Sequence, residues 1–125
     1  MYLSLFSVIL GGSAGCVLRW VLGLRLNSLF SGMPMGTLLV NLIGGFIIGI
    51  AMAVFMKWPN LDPAWRLLIT TGFCGGLTTF STFSAEVVSM LMHGRIGWAM
   101  ATVLTHVLGS LLMTFAGVLL VHWLE

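Results

Sequence analysis

The sequence predicts an all-α membrane protein of four transmembrane helices, the third of them broken near its middle. Three observations lead to this fold class. The 125 residues are 59% hydrophobic and only 6% charged, whereas soluble domains carry about 25% charged residues. The apolar residues fall into four runs, each close to the roughly 20 residues that a helix needs to span a bilayer. The third run is interrupted by the polar, glycine-rich stretch 72–86.

The four predicted helices are joined by short connections. Because no basic stretch precedes the first apolar run, we interpret that run as a membrane segment rather than a signal peptide. The first connection ends at Pro34, and the second, 57–66, contains two prolines and two tryptophans, a composition typical of the membrane interface. The predicted helices belong to a single domain, 1–125, and cover residues 2–24, 35–56, 67–93 and 96–122.

The five basic residues are spread along the chain, so they form no patch for nucleic acid. With four helices, Lys57 and Arg66 lie on the side of the termini, and Arg25 and Arg95 lie on the other. Arg19 lies near the latter pair, inside the first predicted helix. Since the positive-inside rule then gives no preferred orientation, we predict dual topology.

Small residues predict close helix packing. Gly11 and Gly15 form a GxxxG pair, as do Gly45 and Gly49, and membrane helices associate through such flat faces. The pairs could pack within one subunit, between subunits, or both. Because four short helices leave little room for an enclosed pore, we expect an oligomer.

The run from Gly72 to Gly76 is a poor helix interior, since each glycine costs about 1 kcal/mol relative to alanine. A break there would free backbone carbonyls from about Gly75 to Thr78, and such carbonyls bind hard cations in other broken helices. The alternative is a glycine-rich packing face whose neighbouring hydroxyls bond back to carbonyls of the preceding turn.

Aromatic and polar residues follow the predicted break. Phe80 and Phe83 share one helix face. Their positive ring edges could contact a small anion in a narrow path, although phenylalanines at this spacing commonly pack in a core. Hydroxyls could replace part of the anion's water shell. Another face of this helix carries Thr79, Thr82 and Glu86, with Ser81 and Ser84 beside them.

Further polar residues lie inside the other apolar runs. Asn41, with Thr37 one turn earlier, could donate to a ligand or bridge two helices. Arg19 could extend to the headgroups or create a positive potential at a vestibule. The fourth helix carries a polar ladder with a four-residue repeat, which we interpret as the opposite wall of the same path: Thr102, His106, Ser110 and Thr114.

Three motifs resemble those of the Fluc fluoride channels. Residues 11–20, GGSAGCVLRW, resemble the family's GGxxGAxxRY motif, and residues 36–44, GTLLVNLIG, resemble GTLxVNxxG. Residues 72–83, GFCGGLTTFSTF, resemble GfxGGxTTFSTF, which is highly specific. The motifs occur in the family's order and spacing, and the resemblance covers the whole chain. The chain departs from the family at Cys16, Trp20 and His106.

The resemblance implies an antiparallel, dual-topology homodimer of four-helix subunits with two narrow fluoride pores in a bacterial inner membrane. Its implied role is passive export of fluoride, without enzyme chemistry. Phe80 and Phe83 would contact the anion through their edges, and Asn41 would donate hydrogen bonds. Ser110 and Thr114 look like the polar track opposite, and Thr37 and His106 complete this predicted lining.

The resemblance also implies a central structural Na⁺, held by the backbone carbonyls of Gly75 and Thr78 from both subunits. Arg19 matches the family's vestibule arginine. The polar group that it implies near one end of the pore comprises Ser81, Thr82 and Glu86.

Three other functions are compatible with parts of the sequence. A small dual-topology, proton-coupled multidrug exporter would need a membrane acid in its first helix, where this chain has Arg19 instead. A membrane hydrolase using Ser81 or Ser84 with His106 has no GxSxG motif to support it. A purely structural assembly subunit would conduct no ions.

Overall fold

The computed structural model describes all residues, 1–125, and contains helices and connections but no β-strand. The all-helical prediction is therefore confirmed. Three of the helices, α1, α2 and α6, are long and apolar enough to cross a membrane. The elements are α1 (Tyr2–Leu26), α2 (Met35–Lys57), α3 (Pro63–Arg66), a π-helix (Leu67–Cys74), α4 (Gly75–Leu77), α5 (Phe80–Met92) and α6 (Ile96–Trp123).

Residues 63–92, which we call the interrupted segment, contain the break. α3, the π-helix and α4 follow one another without a gap, Thr78 and Thr79 are extended, and α5 begins at Phe80. The segment begins before the predicted residue 67, because Asp62 caps α3 by accepting a hydrogen bond from the Ala64 amide at 2.9 Å. Pro63 follows at the first helical position, which favours helix initiation.

The first helix packs against the interrupted segment backbone to backbone. A Cβ added at Gly11 would overlap the Leu68 carbonyl, and one added at Gly15 would overlap the Phe73 carbonyl. Only glycine permits so close an approach. The first GxxxG pair therefore forms a seam within this chain.

A second seam joins α2 and α6. A Cβ at Gly49 would overlap the carbonyl of Thr114, and one at Gly117 would overlap the carbonyl of Phe46. The second GxxxG pair thus also packs within the chain. Few large apolar side chains are fully buried, and most on α1 and α6 are exposed, as expected for helices that face lipid.

The connection before α2 is fixed by side chains from its neighbours. The Asn27 side-chain oxygen accepts a hydrogen bond from the Thr37 amide at 3.1 Å, in the first turn of α2. The Arg95 guanidinium donates to the carbonyls of Ser31 and Gly32 at 2.8 and 3.0 Å. These bonds set where α2 begins, and so set the position of Asn41 one turn beyond Thr37.

Candidate functional site

A groove of about 420 Å³ lies beside the break, between α2, α5 and α6. Both extended residues, Thr78 and Thr79, line it, so the break opens directly into this space. Polar side chains reach the groove from α2, from the break and from α6, whereas α5 contributes only Phe80 and Phe83. The groove is lined by Asn41, Gly44, Gly45, Ile48, Thr78, Thr79, Phe80, Phe83, His106, Val107, Ser110, Leu111 and Thr114.

Three aromatic rings stand side by side along the groove. Phe80 and Phe83 meet edge to face, with centroids 5.5 Å apart and ring planes at 73°. Phe83 stacks on the imidazole of His106, with centroids 4.5 Å apart and planes at 29°. Phe80 is 77% exposed while Phe83 is 7% exposed. The structure thus brings both predicted phenylalanines to one groove and packs one of them against His106.

The side chain of Asn41 makes two hydrogen bonds to the backbone at the break. Its side-chain oxygen accepts from the Thr79 amide at 2.8 Å, and its side-chain nitrogen donates to the Thr79 carbonyl at 3.1 Å. The same nitrogen lies 3.1 Å from Nδ1 of His106. These partners use both N–H bonds of the amide. Asn41 therefore bridges helices, which is one of the two roles considered for it.

Thr79 begins α5. Its hydroxyl accepts from the Thr82 amide at 3.1 Å, which satisfies one of the free donors of the first turn. It also donates to the Thr82 hydroxyl at 3.1 Å and lies 3.4 Å from the hydroxyl of Ser81. Ser81 is exposed and lies outside the groove lining.

Glu86 lies in a second, polar pocket of about 380 Å³. One carboxylate oxygen accepts from the hydroxyl of Thr37 at 2.6 Å, and the other, Oε1, is buried without a partner. Thr82 and Arg95 also line this pocket. The structure therefore joins Thr37 to Glu86, but places this pair beside the groove rather than in its lining.

The polar ladder of α6 divides between two surroundings. Ser110 and Thr114 line the groove, and the Thr114 hydroxyl donates to the Ser110 carbonyl at 3.0 Å. His106 lines the groove and is 4% exposed. Thr102 is fully buried instead, where it donates to the Trp98 carbonyl at 2.7 Å and packs on Met90. One member of the predicted wall thus belongs to the core.

Arg19 reaches the interrupted segment from α1. Its Nε donates to the carbonyl of Gly76 at 2.9 Å, which is one of the backbone groups just before the break. Arg19 is half-buried. The sequence left a headgroup role and a vestibule role open, and the structure adds a hydrogen bond across the α1 seam.

The carbonyls of Gly75 and Thr78 also lose their helical donors at the break. In a continuous helix the Thr79 amide would donate to the Gly75 carbonyl, but here it donates to the side-chain oxygen of Asn41. The Thr82 amide bonds the hydroxyl of Thr79 rather than the Thr78 carbonyl. Both carbonyls are therefore without the donor that helix continuation would supply.

Two residues escaped prediction from the sequence. Thr79 was placed on a polar face, but its capping role had a signal, since a hydroxyl residue directly before a helical run is a typical N-cap. Gly44 is the other: a Cβ there would overlap the side-chain methyl of Thr78. Gly44 thus makes room for the break, a role that its place as the last glycine of the 36–44 motif did not indicate.

Comparison with known proteins gives full-length relatives. Residues 6–118 match the CrcB-like protein family, described as Camphor Resistance (CrcB). A protein of Pseudomonas aeruginosa named "Fluoride-specific ion channel FluC" is 59% identical over 124 residues, covering 99% of this chain and 98% of the relative. Proteins of the same name are similar in Erwinia tasmaniensis, at 61% over 96% of both chains, and Chromobacterium violaceum, at 59% over 100% and 99%.

Proposed function

This chain belongs to the CrcB-like family, and from that premise we propose that it is a fluoride-selective ion channel that lets cytoplasmic fluoride leave the cell down its gradient. The observation that carries the proposal is the similarity, at about 60% identity over essentially the whole chain, to proteins named fluoride-specific ion channels. The function is transport through a membrane rather than enzyme catalysis.

The groove suits the physical problem of passing fluoride. Fluoride is small and strongly hydrated, so a path must replace its water with donors in a space too tight for chloride. No site may hold the ion too firmly, or conduction stops. The positive edges of Phe80 and Phe83 and the Ser110 hydroxyl are weak contacts of this kind, and the Thr114 hydroxyl becomes one when it turns from the Ser110 carbonyl toward the ion.

Thr37, Ser81, Thr82 and Glu86 form a polar group near the groove, which we propose lies toward one end of the path. The Thr37–Glu86 bond and the polar pocket around Glu86 support this placement. We propose Arg19 as the basic residue of a vestibule, where its charge raises the local concentration of anions.

We further propose that the working unit is an antiparallel homodimer with two pores, inserted in both orientations in the inner membrane of a bacterium. Two properties support this arrangement. The groove of a single chain is open along one side, and Phe80 in its wall is 77% exposed. The basic residues are balanced between the two predicted sides of the membrane.

A structural Na⁺ at the centre of this dimer is the last part of the proposal. Na⁺ is a hard cation that prefers oxygen ligands, and freed carbonyls of broken helices are such ligands. The carbonyls of Gly75 and Thr78 fit this need, because the break deprives both of their helical donors. When bound, the cation would join the two broken segments.

The test is efflux from vesicles of phosphatidylcholine and phosphatidylglycerol that contain only the purified protein. Vesicles loaded with potassium fluoride or potassium chloride are diluted, and a potassium ionophore starts the efflux. We expect fast fluoride release with chloride retained, and the same rate after the proton gradient is collapsed. Absence of fluoride release from folded protein would refute the channel, and dependence on the proton gradient would indicate an exporter.

A further inference from the structure

The hydrogen bonds around His106 determine which of its ring nitrogens carries the proton. The backbone amide of Thr79 can only donate a hydrogen bond. It lies 2.8 Å from a side-chain atom of Asn41, which must therefore be the oxygen, Oδ1. The nitrogen of the same amide then faces the Thr79 carbonyl at 3.1 Å, an acceptor, which agrees with this orientation.

The orientation of Asn41 in turn fixes His106. The side-chain nitrogen of Asn41, a donor only, lies 3.1 Å from Nδ1 of His106. Nδ1 must therefore accept, so it carries no proton. In a neutral imidazole the proton then resides on Nε2. Asn41 thus acts as a positioning residue that selects the Nε2–H form of His106.

The N–H at Nε2 has no partner. Nε2 is buried without a hydrogen bond, and the whole residue is 4% exposed. An unpaired buried donor costs about 1–3 kcal/mol, and buried polar groups in proteins are nearly always paired. His106 lines the groove of about 420 Å³. An acceptor that enters the groove could therefore supply the partner that this donor lacks.

We propose that the Nε2–H of His106 is a hydrogen-bond donor to the fluoride ion in the groove, held in this form by Asn41. The inference rests on the proposed channel function and assigns one of its selectivity contacts. A neutral N–H gives the anion a directed contact without a full positive charge, which meets the need for weak sites in conduction. Phe83 stacks on the face of the imidazole, whereas the Nε2–H bond lies in the plane of the ring.

The direct test is nuclear magnetic resonance on the full-length protein in detergent, with ¹⁵N-labelled histidine. His93→Gln and His122→Gln assign the signals by removing the other two histidines. We expect His106 to show a protonated Nε2 and an unprotonated Nδ1. Sodium fluoride should shift the Nε2 signal, whereas sodium chloride should not. A proton on Nδ1, or no response to fluoride in protein that conducts it, would overturn the proposal.

Two variants test the roles separately. His106→Phe keeps a ring against Phe83 but removes the donor, so we expect about tenfold slower fluoride efflux; the matched control, His93→Phe, changes an exposed histidine and should conduct like the unaltered protein. Asn41→Asp presents an acceptor to Nδ1 and should move the proton there in the spectrum. Unchanged efflux in His106→Phe would refute the ligand role.

The two proposals fail in different ways. If the unaltered protein conducts no fluoride, the channel function fails, and the spectrum still decides whether fluoride meets Nε2. If it conducts and the spectrum is unresponsive, only the role of His106 fails. Since the spectrum uses the unaltered side chain at 106, a folding defect in a variant does not block this decision.

Discussion

Phe80 and Phe83 lie one turn apart and share the groove, but they differ in what their removal would disturb. Phe83 is buried and stacks on His106, so its replacement would also alter packing. Phe80 meets Phe83 in an edge-to-face contact and is otherwise exposed. A change at Phe80 therefore reports on the anion path with little effect on packing within the chain.

We predict that Phe80→Ile lowers fluoride efflux from vesicles by about two- to tenfold, since an aromatic edge contact contributes about 0.5–1.5 kcal/mol. The thermal unfolding midpoint should stay within a few degrees of the unaltered protein. Phe115→Ile is the matched control, because Phe115 is 60% exposed on α6 and lies outside the groove. Equal efflux in Phe80→Ile and Phe115→Ile would contradict the role of Phe80.

At the far end of α6, Glu125 links that helix to α2. Its carboxylate lies 3.2 Å from the ammonium of Lys57 and 3.7 Å from the imidazole of His122. The hydrogen bond from Lys57, the largest cause, lowers the pKa of Glu125, and the charges of both partners lower it further. The folded protein therefore favours the ionised carboxylate more than the unfolded chain does.

This lowered pKa predicts the sign of a pH effect. The stabilisation by Glu125 is present above the carboxyl's ordinary pKa and disappears as pH falls through the lower folded value. At pH 7, Glu125→Gln should lower the unfolding midpoint slightly, and the difference should vanish in acid and shrink in about 1 M salt. A difference that grows on acidification would contradict this pairing.

Arg19 shows where residue-level prediction stops. Its position near the end of a long apolar run indicated a headgroup or a vestibule. The carbonyl that it bonds belongs to Gly76, 57 residues further along the chain. No local pattern encodes such a pairing, because it depends on how α1 packs against the interrupted segment. The partners of Asn41, which lie in the break and in α6, could not be predicted from the sequence for the same reason.

At the scale of elements, the interrupted segment was predicted in its general location but not in its mechanism. The glycine run 72–76 indicated a break, yet those residues are helical, first in the π-helix and then in α4. Gly72 and Gly76 instead let the segment approach α1. The break lies at Thr78 and Thr79, where side chains replace the helical hydrogen bonds.

The glycines of the α2–α6 seam give a test at this scale. Gly49→Ala should lower the free energy of unfolding by about 1–3 kcal/mol, because the added methyl overlaps the Thr114 carbonyl and the backbones must separate. Gly97→Ala is the control, since a Cβ there meets nothing within 4 Å. It should be neutral, or stabilising by up to about 1 kcal/mol. Reversible denaturation in detergent measures both, and equal effects would refute the seam.

For the whole molecule, composition and hydropathy were sufficient to predict a helical membrane fold. Lipid cannot satisfy backbone groups, so long apolar runs have few alternatives to helix. The arrangement of the helices was not predictable in the same way, because a GxxxG pair identifies a packing face without identifying its partner. The structure assigns both faces to partners within one chain.

Balanced charge leads to a prediction about orientation. A reporter fused to the C-terminus should be found on both sides of the membrane in comparable amounts. Replacing Lys57 and Arg66 by alanine leaves Arg25 and Arg95, on the side opposite the termini, as the basic residues that set the orientation. Because basic loops stay in the cytoplasm, the C-terminal fusion should then lie on the outer side. Protease accessibility in cells provides an independent readout. A C-terminus found on one side only, in the unaltered protein, would exclude dual topology.

The two glycine seams also constrain how the protein is made. One joins the first helix to the third segment, and the other joins the second helix to the last, so partners alternate along the chain. When α1 and α2 leave the ribosome, the segments against which their glycine faces pack have not yet been synthesised. The flat face of α1 has no partner until the interrupted segment is made, and that of α2 has none until α6, the last helix, is made. The helices therefore assemble late, and the unfinished chain is the species most prone to pack its free glycine faces against the wrong helix.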